Sequence, residues 1–366
     1  MGCLSEAFLV LLRSGLWEQE PDDLSCFPLS EQDWTRLLRI ARQQTVTGLV
    51  YRGICRLPEE LLPSDIILMK WVVAVEQIEQ GNSRMNEGLK GLYHLFVKEG
   101  IIPVLQKGQG IAQLYEEPLL REFGDIDFYF SDSEMSRQAV DLLVRLGVKV
   151  NKMPDGSFNY RWKGWEVEHH SRLIDCYNPF LQGYLKKLEA VTDCVRIPMD
   201  GAEDLEVKVP SPCLNLVLLD MHIMKHAFGW GIGLRQLCDM ARACYVWHGK
   251  MDTKLFKEVS RKTGITRWNS LLFSFLKDYL GLPATYLPYE VKPVDSSALL
   301  ERIMTGGGLW LLWNRKTAGR YFCLGTKMED SLFVFAKCEI CVQVCSKRGI
   351  LEFCPTDERS VLNGYK

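Results

Sequence analysis

Residues 104–130 read VLQKGQGIAQLYEEPLLREFGDIDFYF, and this stretch restricts the fold more than any other part of the chain. The apolar run at residues 101–105 has the length and composition of a buried strand. At residues 125–130, carboxylates alternate with apolar and aromatic side chains, the pattern of a second strand. Between them the sequence predicts a helix entered through a turn at Gly108 and Gly110. A glycine there lets the backbone come close to a ligand, and the free N–H groups that open a helix favour an anion such as phosphate. Successive strand residues point to opposite faces, so Asp125 and Asp127 share one face and Ile126 takes the other. Adjacent carboxylates repel one another unless a cation lies between them. A divalent metal ion with hard oxygen ligands is the usual partner.

Further along, residues 158–162 and 165–170 flank Lys163-Gly164, a hairpin signal. Glu166, Glu168 and His170 fall on one face of the second of these strands. An exposed acidic hairpin face explains that spacing as well as a catalytic site does. Glu166 and Glu168 stand about 6.5–7 Å apart along the strand, so one of them at most is expected to share a metal with the paired aspartates.

Alone, a KG pair or a DxD triplet is a weak signal. In combination, Lys107-Gly108, a helix, Arg121 and then Asp125-x-Asp127 on an apolar strand resemble the signature of the polymerase-β-type nucleotidyltransferase superfamily. The longer pattern KGxxIxxLYxxPxxRxxGDIDF resembles an uncharacterised bacterial nucleotidyltransferase family with a helical region on either side. ARQQTVTGLVYRGI is similar to that family's N-terminal helical segment, and EHHSRL to its acid-x-His-x-Arg-Leu phrase. His222, His226, Arg235 and Asp239 match positions in the helical segment that follows, and the resemblance spans roughly residues 31–283.

The resemblance implies an α+β fold: a small mixed-sheet nucleotidyltransferase domain at residues 90–210, between helical regions at 1–89 and 211–366. It implies transfer of a nucleoside monophosphate from a nucleoside triphosphate, with ATP the expected donor, to an acceptor hydroxyl, releasing pyrophosphate. The acceptor is a small molecule, an RNA end or a protein side chain. Asp125, Asp127 and Glu168 are the expected ligands of Mg²⁺ (or Mn²⁺), with Glu168 chosen over Glu166 by the phrase after it. Lys107, Gly108, Gln109 and Arg121 are expected at the triphosphate. Gln109 stands where the wider superfamily carries serine, and the glycine-to-aspartate spacing is longer than usual. Those departures motivate an alternative, a nucleotide-binding or interaction protein of the same fold without turnover. On the sequence alone, neutralising either Asp125 or Asp127 should relieve repulsion and leave stability unchanged or raised.

Composition sets the outer bounds. A chain of 366 residues with 47% hydrophobic content can bury a sizeable core. Its net charge of −2 carries no electrostatic footprint for nucleic acid. No apolar run reaches the roughly 18 residues of a membrane span, and the first residues carry Glu6 where a signal peptide would be basic, so the chain is expected in the cytoplasm. Thirteen cysteines in a chain of this size point to reduced thiols. Cys338, Cys341 and Cys345, ahead of Cys354, are spaced loosely like iron–sulfur or zinc ligands, but they share one face of an apolar helical pattern and are expected in a core. His222 and His226 also share a helical face and lack the glutamate of a zinc-protease motif. Helix packing is the expectation for them.

Overall fold

Leu105, Ile126 and Phe128 join one hydrophobic core, while Val104 and Tyr129 join another. The alternation of side chains along two strands thus separates the protein into layers on either side of a sheet. The computed structural model describes residues 2–175, 179–200, 202, 205–229 and 231–305. Four helices come first: α1 (Cys3–Trp17), α2 (Glu31–Gln43), α3 (Thr47–Ile54) and α4 (Asp65–Lys98). The sheet region follows as β1 (Val104–Gln106), α5 (Gly108–Ala112), β2 (Ile126–Tyr129), α6 (Ser133–Arg145), β3 (Val150–Lys152), β4 (Phe158–Trp162), β5 (Trp165–His170), α7 (Pro179–Val191), β6 (Cys194–Pro198) and β7 (Glu206–Pro210). The helices α8 (Pro212–Phe228), α9 (Leu234–Val246), α10 (Thr253–Thr263), α11 (Thr266–Asp278) and α12 (Ser297–Thr305) complete the described chain.

The architecture is the expected α+β type, with seven strands in one mixed sheet ordered β3-β4-β5-β2-β1-β7-β6. At its centre β1 pairs antiparallel with β2, and β2 pairs parallel with β5. Lys163 and Gly164, both at positive φ, turn the β4–β5 hairpin as their sequence suggests. Strands β3, β6 and β7 are not expected from the sequence; β3 has three residues, two of them polar, and β6 and β7 each end in proline, although β7 lies directly beside β1.

On one face, the second half of α4 packs Met85, Leu89, Leu92 and Phe96 against Leu105, Phe128 and Val167. On the other, helices from both ends of the chain share a single core that includes Phe8, Trp34, Trp71, Leu216, Phe256 and Phe273. Each such side chain, fully buried, contributes about 1.5–3 kcal/mol. Polar ties reinforce the join: Arg242 donates to the carbonyls of Leu114 and Leu16, and Gln44 donates to that of Ile303.

The sequence suggests helix caps at Ser30, Asp252 and Ser133, each ahead of a segment with helical apolar spacing. Ser30 caps α2 and Asp252 caps α10, each accepting a backbone N–H. Asp132, rather than Ser133, caps α6. Where the sequence suggests two helices at residues 64–80 and 86–99, the structure has the single 34-residue α4. Gly81 does not break it because the ring of Phe123 lies where a Cβ would be, and buried Asn82 and Asn86 are held by the carbonyls of Leu119, Arg121 and Asp200. Tertiary contacts therefore override a weak local stop signal. The described cysteines are all free thiols. Cys338, Cys341, Cys345 and Cys354 lie outside the described residues. No helix among the described residues is long and apolar enough to cross a membrane.

Candidate active site

Because Gln106 on β1 stands opposite Asp127 on β2, the turn that leaves β1 lies beside the point where the paired aspartates enter the sheet. Lys107 sits in that turn at φ 45° and ψ −142°, a backbone conformation that costs a non-glycine residue about 1–3 kcal/mol. Gly108 follows at φ 38°, and a Cβ there would come within 3.3 Å of the carbonyl oxygen of Asp125. This crowding and the positive φ both call for glycine. The strained turn directs the Lys107 ammonium to 3.0 Å from Asp127 Oδ1. The helix that follows, α5, has only five residues, so its dipole is short and adds little to anion binding. Positive charge on this side of the site comes from Lys107.

Parallel pairing of β2 with β5 sets Glu168 directly opposite Asp127. His170, two residues on and so on the same face, reaches back with Nε2 2.5 Å from Asp127 Oδ1 and 3.5 Å from Glu168 Oε2. Ligand atoms of Asp127, Glu168 and His170 all lie within 4.8 Å of one another, close enough to share a metal ion. Glu166 instead forms an exposed pair with Arg161 at 2.6 Å, across the β4–β5 ladder. His169 points to the opposite face, among Phe96, Phe128, Phe130 and Tyr160, with Nε2 2.8 Å from the tyrosine hydroxyl. Burial lowers its pKa to about 3, so it is a neutral core residue. The two adjacent histidines thus have different roles because the strand sends them to different sides.

The carboxylates titrate unlike one another. Burial opposes ionisation of Asp127, but Lys107 and His170 outweigh it and hold the carboxyl well below the usual range. The charge on Asp127, and then burial, raises Asp125. Burial, followed by the same charge, raises Glu168. Asp125 stands outside the tight three-residue group but within electrostatic reach of Asp127, Lys107 and His170. Three carboxylates facing one lysine and one histidine leave an excess of negative charge, which suits a divalent cation.

Two residues expected at the triphosphate are committed elsewhere. The Gln109 side chain is buried and donates its amide to Asn82 Oδ1 at 3.2 Å and to Asn86 Oδ1 at 2.5 Å, so it faces α4 and not the acidic cluster. Arg121 is buried as well. Its Nε and Nη2 clamp the Asp239 carboxylate at 2.9 and 2.7 Å, and its Nη1 donates to the Glu122 carbonyl. Tyr115 donates to the same carboxylate at 2.8 Å. Arg121 therefore fastens the loop before β2 to α9, with its fork filled by Asp239.

Three histidines outside the expected ligand set lie at the site. His170 shares a strand face with Glu168, as the sequence period implies, and reaches Asp127 as well. His222 and His226, one helical turn apart on α8 with their rings edge to face and centroids 4.4 Å from each other, both sense Lys107 and Asp127. Burial, then Lys107, lowers their pKa values, so they are uncharged groups on the helical side of the site. Their i, i+4 spacing is a signal available in the sequence; what they face is not.

Sheet order, glycine turn and acidic cluster are together those of a nucleotidyltransferase-like α+β fold. Residues 30–281 match the family model described as "Uncharacterised nucleotidyltransferase", and the chain belongs to that family. No curated protein matches it. Among solved structures, an antigenic nucleotidyltransferase-like protein from Paracoccidioides brasiliensis is 13% identical, with 57% of this chain and 93% of that one covered and a TM-score of 0.31. That likeness is too distant to carry an argument.

Proposed function

We propose that the protein transfers a nucleoside monophosphate from a nucleoside triphosphate, with ATP the expected donor, to an acceptor hydroxyl, by the chemistry of the polymerase-β-type superfamily. The observation that carries this reading is the junction of Asp127, Glu168 and His170 on two adjacent parallel strands, with Lys107 against it. Asp125, Asp127 and Glu168 would hold Mg²⁺ (or Mn²⁺), whose preference for hard oxygen donors their carboxylates fit, with His170 beside them. When bound, the metal supplies activation of the attacking oxygen and neutralisation of the triphosphate. Lys107 adds positive charge for the phosphates, and the turn at Gly108 lets them approach the backbone. Glu168, opposite Asp127 on the neighbouring strand, accepts the hydroxyl proton as the acceptor oxygen bonds to the α-phosphorus. The bond from that phosphorus to the bridging oxygen breaks, and pyrophosphate leaves.

Burial of Gln109 against α4, in place of a serine facing the phosphates, favours a second reading in which nucleotide binds without turnover. Titration calorimetry with each of the four nucleoside triphosphates, with and without Mg²⁺, followed by pyrophosphate release in the presence of fractionated metabolites and RNA, separates the two. Metal-dependent binding with turnover is the expected result. Binding without turnover favours the second reading, and the absence of metal-dependent binding would refute both.

A further inference from the structure

Arg235, at the start of α9, reaches the loop that enters β2. Its Nη1 donates to the carbonyls of Glu122 and Phe123, both at 2.9 Å. Its Nη2 lies 3.8 Å from the position a Cβ would take on exposed Gly124, the residue before Asp125, and makes no hydrogen bond among the described residues. Its Nε is buried without a partner. Asp239, one turn along α9, is already held by Arg121 and Tyr115. Among the described residues Arg235 forms no ion pair; burial, then Arg121, disfavours its charge, while the more distant carboxylates of Asp239, Glu122 and Asp125 favour it. A guanidinium fixed through Nη1, with Nη2 unpartnered beside exposed Gly124, is pre-organised for a tetrahedral oxyanion.

We propose that Arg235 is an oxyanion anchor that takes a phosphate oxygen, either of the nucleoside triphosphate or of an anionic acceptor, at the edge of the acidic cluster. The proposal rests on the nucleotidyl-transfer reading for its substrate class, but the positions of Nη2 and Nε stand apart from that reading. The test compares full-length wild type, R235K and R235M by calorimetry, with melting temperatures as a check on folding. One titration uses α,β-methylene-ATP with Mg²⁺; a second adds inorganic phosphate to protein saturated with that analogue. R235M should weaken one of the two by roughly tenfold or more, as expected for loss of a charge-assisted fork, and R235K should restore only part of it. Loss in the first titration identifies the triphosphate as the source of the oxyanion, and loss in the second identifies the acceptor. If R235M does not fold, R235K alone should show several-fold weakening in one titration. Affinities within twofold of wild type in both titrations, for the folded variants, would overturn the anchor and leave Arg235 as a brace for the loop. Should wild type fail to bind the analogue, the nucleotidyl-transfer reading falls, and phosphate titrated into metal-free protein still decides the anchor. Phosphate binding lost in the variants upholds it, and no phosphate binding in wild type, or equal binding in all three proteins, overturns it.

Discussion

Asp125 and Asp127 should respond in opposite directions when each is changed to Asn in metal-free protein. Asp127 is buried with its charge favoured overall, since Lys107 at 3.0 Å and His170 at 2.5 Å outweigh the cost of burial. Asp125 has its charge disfavoured, chiefly by Asp127. Asp127→Asn removes the anionic acceptor from two donors, each worth about 1.5–3 kcal/mol when charge-assisted and buried. Lys107 and His170 keep 16% and 24% of their side-chain surface exposed, so both can partly rehydrate, and relief of repulsion toward Asp125 and Glu168 offsets a further part. The net loss should be about 2 kcal/mol, or a Tm lower by about 4 °C. Asp125→Asn relieves repulsion without breaking an ion pair, and its Tm should stay level or rise by about 1–2 °C. The assay is thermal unfolding in EDTA at pH 8. The expectation drawn from sequence, that either change relieves repulsion and leaves stability unchanged or raised, is thereby replaced by a split. A fall in Tm for Asp125→Asn as large as that for Asp127→Asn, or an unaltered Tm for Asp127→Asn, would refute the electrostatic assignment of the site.

Three more outcomes follow from particular contacts. Glu168→Gln should leave binding of α,β-methylene-ATP nearly intact and slow single-turnover pyrophosphate release by a factor on the order of 10², with Glu166→Gln within about twofold of wild type; the reverse ranking would show the β5 register to be misassigned. Arg121→Met should cost about 3–5 kcal/mol in denaturant unfolding by stranding Asp239, while analogue affinity of the folded protein stays within about threefold of wild type; a selective loss of affinity would return Arg121 to the triphosphate. Burial pushes Asp220, which accepts a 2.8 Å hydrogen bond from Trp268 Nε1, up to about 7. A carboxyl raised above its unfolded value destabilises the fold as pH rises from about 4 through 7, so Asp220→Asn should raise Tm more at pH 8 than at pH 5.5, and an equal change at both pH values would exclude this origin.

Local physics made part of this protein legible from sequence alone. The two-residue period of a strand put Asp125 with Asp127, and Glu166 with Glu168 and His170, before any fold was known. Positive-φ propensity marked the turns at Gly108 and Lys163-Gly164, and side-chain oxygens at Ser30 and Asp252 marked helix starts. Each of these properties belongs to a few neighbouring residues and survives without tertiary context. Partner choice does not. Gln109 looked available to phosphate until Asn82 and Asn86, 27 and 23 residues earlier, claimed its amide. Arg121 looked equally available until Asp239, 118 residues later, filled its fork. The continuity of α4 through Gly81 depended on a ring from residue 123, and the position of Glu168 directly opposite Asp127, which the resemblance could only imply, depended on the parallel register of β2 and β5. Periodicity gives the direction in which a side chain points, whereas burial sets the cost of leaving a polar group unpaired. Only the folded chain, which brings distant donors and acceptors into one low-dielectric volume, decides which of them must pair with each other and which are left to meet a ligand.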